Sequence, residues 1–537
     1  MISDVRKPTI VAALLSAVLF PLALPNELFP MGNPFVGLIA LTPLYLALLW
    51  ADSPRRAALV GVIFGGISTF LANYWLMFFG DYSVWTIGGT TLGYMLFNAI
   101  LAPFLWRALR ADRIFRPILF AMVWTGYELL KSVGFLGYPW GLAAYPFNTI
   151  PVLIQVSDIT GVWGLTLVAV YFSAVCAELV SDVVAKRRVT VKTFRNVAAL
   201  AVLVIMVVGY GAWALRREVP ADGDLNILLV QQNSDAWNTR DIAGPLQIAQ
   251  DLTEEGLRTI RPDLIVWSET SLRFPYGEAR AWYLRNPADE PFSEFLERLP
   301  APLMTGSPFR SDSGEFTIYN AVLLIAQDGA IEQWYGKQQL VPFAEYVPFW
   351  ESPIVQSFFR EVVGIGAIWA PGPGIRQFTI NRDGAAPVTV GTPICFEDAF
   401  AYIPRRFARA GTDVLINLTN NAWSRTDSAQ LQHLVAARFR AVETRRSLVR
   451  STNAGFTGVI DPWGRVTSDL PMFVQGYLAT AVPVYRPQSE TIYVRWGEYF
   501  PVAILVGLLG ALVWSSLRPD RSSRRPGRPP VRPDTNS

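Results

Sequence analysis

Long runs without charge fill the first 216 residues of this 537-residue chain, and a comparable run recurs only near residues 500–517. No soluble core absorbs that much contiguous apolar chain. In lipid it must be helical, because a helix satisfies every backbone group within its own segment. Stretches long enough to cross ~30 Å of hydrocarbon lie near residues 9–25, 34–50, 57–79, 87–106, 116–133, 159–182 and 196–215. With the run near 500–517 this predicts a helical bundle of about eight spans. Pro25 and Asn26 follow the first run without a small-residue cleavage site, so it reads as a retained span and not as a signal peptide.

The short loops set direction. One series carries Arg55 and Arg56, then Arg107, Arg110, Arg113 and Arg116, then Lys186, Arg187, Arg188, Lys192 and Arg195; the alternate loops 26–33, 80–86 and 134–158 hold no lysine or arginine. Basic loops stay in the cytoplasm. Seven crossings from inside deliver residue 217 to the far side, and the last span returns the chain to a tail bearing Arg518, Arg521, Arg524, Arg525, Arg528 and Arg532. The expected division is a transmembrane region over 1–216, an outward domain over 217–495, a closing span over 496–518 and a disordered basic tail over 519–537. In a bacterium this is an inner-membrane protein with its domain in the periplasm.

Composition narrows the chemistry. Only 17% of residues are charged, against about 25% in soluble proteins, and the net charge of +3 is too small to suggest nucleic acid. Two cysteines and one histidine, His433, leave no basis for a disulfide framework or a Cys/His metal site, and no cofactor is expected. Cys176 lies inside an apolar run, where a thiol is inert, and His433 falls in a helical pattern as a core residue. Glu128 and Lys131, three apart near the end of the fifth run, share a helix face and read as an ion pair or a substrate contact. The aromatic segment 134–158 suits a surface at head-group level.

Residues 217–495 have ordinary charge density. Short apolar runs at 225–231, 264–268, 319–326, 388–394 and 414–418 read as buried strands, and 241–260, 397–410 and 428–449 as helices, which makes an α/β layered domain. Glu269 and Cys395 then fall just past strand ends, where such folds gather reactive groups. A thiol, a carboxylate and the ammonium of Lys337 together can make and break acyl bonds: nucleophile, proton carrier and oxyanion partner. Cys395 precedes the helical run from Glu397, whose unpaired N–H groups and dipole should favour its thiolate, and Lys337 nearby adds to that effect. Read singly, each residue also has a structural role open to it.

Five ordered motifs carry a resemblance. Val266-Trp267-Ser268-Glu269, Lys337-Gln338-Gln339-Leu340-Val341-Pro342-Phe343-Ala344-Glu345, Ile394-Cys395-Phe396-Glu397, Thr419-Asn420-Asn421-Ala422-Trp423 and Arg450-Ser451-Thr452-Asn453 closely resemble the apolipoprotein N-acyltransferase family, the membrane branch of the nitrilase (carbon–nitrogen hydrolase) superfamily. The resemblance implies an α-β-β-α sandwich and a Glu269–Lys337–Cys395 triad. It also implies an oxyanion site at Lys337 and Phe396, with Glu345 and Glu397 in support. Trp237, Asn420 and Asn421 are substrate-binding candidates, and Trp237 with the Tyr335 and Tyr346 region could line an acyl path. Ser268, Gln339, Ala344 and Phe396 depart from the family's usual proline, histidine, glycine and tyrosine. The implied reaction moves an acyl chain from a phospholipid such as phosphatidylethanolamine through a cysteine thioester to the amino-terminal diacylglyceryl-cysteine of an apolipoprotein. The rival readings are a membrane-anchored amidase or nitrilase acting on a small external substrate, and a catalytically dead lipoprotein-binding relative.

Overall fold

The computed structural model describes residues 6–80, 83–185, 188–217, 219–234, 241–310, 317–363, 369–486 and 489–517. The tail 519–537 and Trp237 lie outside the described residues. Every expected span falls on helix: Arg6–Ala23, Pro34–Ile39 with Thr42–Trp50, Pro54–Ala72, Ser83–Ala108, Arg116–Lys131, Val162–Val184, Val191–Arg216 and Tyr499–Leu517. Four of them, Pro54–Ala72, Ser83–Ala108, Val162–Val184 and Val191–Arg216, are long and apolar enough to cross a bilayer on their own. Arg6–Ala23 and Arg116–Lys131 are shorter, and the run over 34–50 is interrupted. Pro43, early in Thr42–Trp50, has no N–H with which to continue the ladder from Pro34–Ile39.

At one end of the bundle Arg113 and Arg116 clamp the buried Glu178, with Arg113 Nε 2.6 Å and Arg116 Nη2 2.7 Å from its Oε2. Near the other end, Glu128 and Lys131 make no ion pair with each other. The Glu128 carboxylate accepts from Trp124 Nε1 at 2.9 Å, the Ala143 amide at 2.8 Å and Thr166 Oγ1 at 2.9 Å. Lys131 Nζ instead donates to the Trp140 carbonyl at 2.8 Å. The incoming 140–166 segment satisfies each group separately, which is why the expected pairing gives way.

Twelve strands form two six-stranded sheets. The first contains β1 (Asp224–Gln231), β2 (Leu264–Val266), β3 (Leu303–Arg310), β4 (Ile318–Ile325), β5 (Ile331–Gly336) and β12 (Gly476–Pro483), in the order β12-β1-β2-β3-β4-β5. The second contains β6 (Gln377–Arg382), β7 (Ala385–Gly391), β8 (Val414–Thr419), β9 (Ser447–Thr452), β10 (Gly458–Ile460) and β11 (Val466–Asp469), in the order β11-β10-β9-β8-β7-β6. Each sheet has a parallel centre, β1-β2-β3 and β7-β8-β9, with antiparallel flanks.

Strand alternation builds the layers. Leu225, Ile227, Leu229, Val322 and Leu324 enter the core between the sheets. Leu228, Val230, Ala321, Leu323 and Ile325 turn the other way, onto Leu246, Ala249, Phe292 and Phe295 of the helices Gly244–Leu257 and Phe292–Arg298. Both faces of the first sheet are therefore buried, and the layering is α-β-β-α. The helical pattern expected over 428–449 stops at Thr444, because Arg445 takes a left-handed φ of 51° and Ser447–Thr452 becomes β9. Arg445 is held there by Asp158, with Nη2 to Oδ2 at 2.6 Å.

The helix Asp427–Thr444 joins the two regions and is buried at every position after Asp427. It is polar, so each buried group needs a partner. Gln432 Nε2 donates to the Pro25 and Ala72 carbonyls, both at 3.0 Å, and Glu443 Oε1 accepts the Val162 amide at 2.9 Å. One continuous apolar core runs from the inter-sheet side chains through this helix to Trp75, Leu142 and Trp163 of the bundle. The segment 134–158 is accordingly no head-group surface over most of its length. Leu142 to Asn148 are buried beneath the sandwich, with Tyr145 packed 5.5 Å from Phe439.

Candidate active site

Three loops at strand ends converge. Glu269 follows β2, Lys337 follows β5, and Cys395 opens a five-residue 3-10 turn after β7. Gly306 of β3 makes the first approach possible, since a Cβ there would sit 2.6 Å from the Cα of Glu269. Only glycine lets the carboxylate loop lie so close. Cys395 itself has a left-handed φ of 51°, a strained setting for a residue with a Cβ that the surroundings must hold. Its carbonyl accepts from Asn417 Nδ2 of β8 at 3.0 Å, and the same amide binds the Pro393 carbonyl at 3.0 Å.

The three side chains meet. Lys337 Nζ lies 3.3 Å from Glu269 Oε1 and 2.8 Å from Glu345 Oε1, and its side chain is only 1% exposed. Glu269 Oε2 accepts the Asn420 amide at 2.8 Å, leaving the thiol of Cys395 as a further hydrogen-bond partner of that carboxylate. Burial works against the charge of Lys337, but the flanking carboxylates hold its pKa well above the ordinary value. For Cys395, loss of solvation and the charge of Glu269 push the thiol well above its usual value, and Lys337 only partly offsets them. The expected resting thiolate is therefore corrected: Lys337 is neutralised by two carboxylates, and the 3-10 turn Cys395–Ala399 is too short to supply a helix dipole. The Cys395 thiol therefore keeps its proton in the resting site.

Glu397 acts as a clamp. Its Oε1 accepts the amides of Gln338 at 2.6 Å and Gln339 at 3.0 Å, its Oε2 accepts the Ile394 amide at 2.8 Å, and both oxygens receive the Tyr335 hydroxyl. One carboxylate thus ties the lysine loop to the cysteine turn. Burial raises its pKa to about 7 despite those amides. Tyr335 is fully buried on Glu397 and so lines no acyl path. Gln339 Oε1 accepts the Tyr402 hydroxyl at 2.6 Å, and Phe396 stacks on Trp140 of the apolar region at 5.5 Å.

Asn420 reaches Glu269 through its backbone, while the Asn421 side chain donates to Gln430 Oε1 at 2.7 Å. His433 is a bonded core residue, its Nε2 on Asp398, whose other oxygen holds Arg450. Two residues escape a reading of the sequence: Asn417, and Asn320, whose Nδ2 donates to Glu269 Oε1 at 2.8 Å and to Glu345 Oε1 at 3.1 Å. A signal existed for both. Each is an amide inside an otherwise apolar strand run, and a buried amide is tolerated only where it is hydrogen-bonded.

Residues 16–175 match the apolipoprotein N-acyltransferase N-terminal domain family, and residues 227–488 match the carbon-nitrogen hydrolase family. Relatives match over most of the chain. Apolipoprotein N-acyltransferase 2 of Treponema denticola is 37% identical over 505 residues, covering 92% of this chain and 95% of that protein. Apolipoprotein N-acyltransferase 2 of Treponema pallidum is 37% identical over 525 residues, 93% of each chain. The apolipoprotein N-acyltransferase of Borreliella burgdorferi is 30% identical over 503 residues, covering 92% of this chain and 93% of that protein.

Proposed function

We propose a reaction path for this chain from one premise, that it belongs to the apolipoprotein N-acyltransferase family. It is a membrane acyltransferase that N-acylates lipoproteins with an acyl group from a membrane lipid. The catalytic assignment is Glu269 as base, Cys395 as nucleophile and Lys337 as oxyanion partner. The donor is phosphatidylethanolamine, the site faces the periplasm from the inner membrane, and the division at 216, 495 and 518 separates bundle, domain, closing span and tail.

In the first half, Glu269 takes the thiol proton as sulfur attacks the sn-1 ester carbonyl. Lys337 and the Phe396 amide bear the tetrahedral oxyanion. The carbon–oxygen bond to glycerol then breaks, Glu269 returns the proton to the departing lysophospholipid, and the acyl chain stays on Cys395 as a thioester. In the second half, the α-amino group of the diacylglyceryl-cysteine attacks and loses a proton to Glu269. The carbon–sulfur bond breaks, and the proton passes back to the thiolate. Asn320 and Glu345 hold Glu269 and Lys337 at fixed separation through both halves.

One observation carries this reading: the nucleophile's neighbour Phe396 packs on Trp140 of the apolar bundle, so the reactive turn sits at the junction of sandwich and membrane region. Lipid substrates need that placement, because moving acyl chains into water costs about 0.8 kcal/mol per CH₂. The exposed Phe343, two residues from Glu345, packs 5.6 Å from Phe135 of the 134–158 segment and adds apolar surface there. Mass spectrometry after incubation with phospholipid alone tests it. One acyl adduct on Cys395 is expected, absent in Cys395→Ala; ammonia release from amides with no adduct would support the amidase instead.

A further inference from the structure

Beneath the reactive turn, the bundle holds a small chamber of ≈ 40 Å³, and Lys131 is the cation among its lining residues. Trp124, Tyr127 and Lys131 line it from a single helix face at spacings of three and four. Lys131 stands ~10 Å along the axis from Trp124. The chamber is amphiphilic as a result: Phe20, Phe64 and Trp124 make an apolar end, and Lys131, Tyr138 and Trp140 a polar end beside the sandwich.

The polar end has donors left over. Lys131 Nζ has three N–H groups, and its acceptors are the carbonyls of Trp140 at 2.8 Å and Gly141 at 3.5 Å. The rings of Tyr94 and Tyr127 lie 5.8 and 5.9 Å away, and Glu128, one turn back on the same helix, acts on Lys131 through its charge without forming an ion pair with it. Trp140 Nε1 is buried with no partner. Nearby acceptors are occupied, since Asn73 Oδ1 takes the Tyr138 hydroxyl at 2.7 Å and the Tyr127 oxygen takes Asn98 Nδ2 at 3.3 Å. Buried donors without acceptors are costly. A cation, an orphan indole N–H and an apolar floor together call for an anionic amphiphile with several acceptor oxygens.

We propose that this chamber binds the phosphodiester of the lipid donor, with Lys131 pairing its charge and Trp140 donating to a second oxygen. The inference rests on the lipid-donor reaction given above. It also explains the double use of Trp140, which lines the chamber and stacks on Phe396 next to the nucleophile. A phosphate seated there holds the glycerol esters on the side of Cys395.

Thioester formation by the full chain in neutral detergent tests the assignment with two donors, a phospholipid and a p-nitrophenyl ester of a fatty acid, which has an acyl group but no phosphate. Lys131→Met should raise KM for the phospholipid about ten-fold, the loss of one charge-assisted hydrogen bond, with kcat within about two-fold. The p-nitrophenyl ester should react as in the parent. Lys131→Arg should retain most phospholipid affinity. Trp140→Phe leaves an aromatic ring against Phe396 while removing the N–H and part of the indole, so a smaller rise in KM for the phospholipid, with the p-nitrophenyl ester unaffected, is expected even if Lys131→Met fails to fold. Inorganic phosphate that competes with phospholipid in the parent and not in Lys131→Met marks a general phosphate site; no competition marks one that needs the lipid's chains. Equal loss on both donors, or unchanged phospholipid kinetics, overturns the assignment. Failure of either donor to acylate the parent Cys395 would instead overturn the proposed reaction.

Discussion

At Cys395 two fields oppose each other. Poor solvation and the charge of Glu269 hold the proton on sulfur, while Lys337 draws it off. Glu269→Gln removes the charge that, together with burial, opposes ionisation, and it removes the base as well. The pH midpoint of Cys395 alkylation by iodoacetamide should therefore fall by about one unit or more, while acyl transfer drops about 100- to 10,000-fold. An unmoved midpoint would separate Glu269 from the thiol. Glu397 makes a second prediction. Its pKa rises from 4.5 to about 7 in the folded protein, so the fold binds its proton more tightly than the unfolded chain does. That stabilisation is complete below 4.5 and is lost as pH climbs through 7. Glu397→Gln should flatten the fall in thermal stability over that window, and lower activity about ten-fold by loosening the lysine loop. A slope equal to the parent's would contradict the burial argument.

The strands place their reactive loops by close contact more than by side-chain strength. Gly306 has backbone of the Glu269 loop directly over it, where a methyl group would lie 2.4 Å from the Thr270 amide nitrogen. Gly306→Ala should push the carboxylate away from Asn320 and Lys337, cutting activity by about 100-fold while the domain stays folded, because a small misplacement of a reacting group is enough. Circular dichroism with single-turnover acylation checks both halves of that expectation. The junction helix Asp427–Thr444 shows the opposite economy. Its side chains are polar, yet Gln432, Arg438, Arg440 and Glu443 all find partners in the interior. The bundle supplies those partners in part, through the carbonyls of Pro25 and Ala72 and the amide of Val162.

For the whole molecule, the arrangement of bundle and sandwich around one core puts the thiol and the Lys131 chamber on one seam. The proposed orientation is testable at Asp383, whose side chain is 94% exposed in the β6–β7 turn. In a Cys176→Ala background, Asp383→Cys should react with an impermeant maleimide in intact spheroplasts. Labelling that appears only after lysis would turn the domain inward and remove the case for a periplasmic acceptor.

The apolar runs, their bounding arginines and the five motifs were readable along the chain, because span length, loop charge and the residues next to a nucleophile are local properties. The strands at 225–231, 319–326 and 414–418 were legible for the same reason, each being an apolar run with turn residues at its ends. What tertiary structure alone decided depends on neighbours distant in sequence. The thiol's proton is set by Glu269, 126 residues upstream (395 − 269). Asn320 and Asn417 became site residues only when separate strands brought carboxylates and a turn to them. Glu128 and Lys131 parted because the 140–166 segment offered each a better partner. Solvation and pairing are sums over everything packed around a group, and packing is fixed only when the chain has folded.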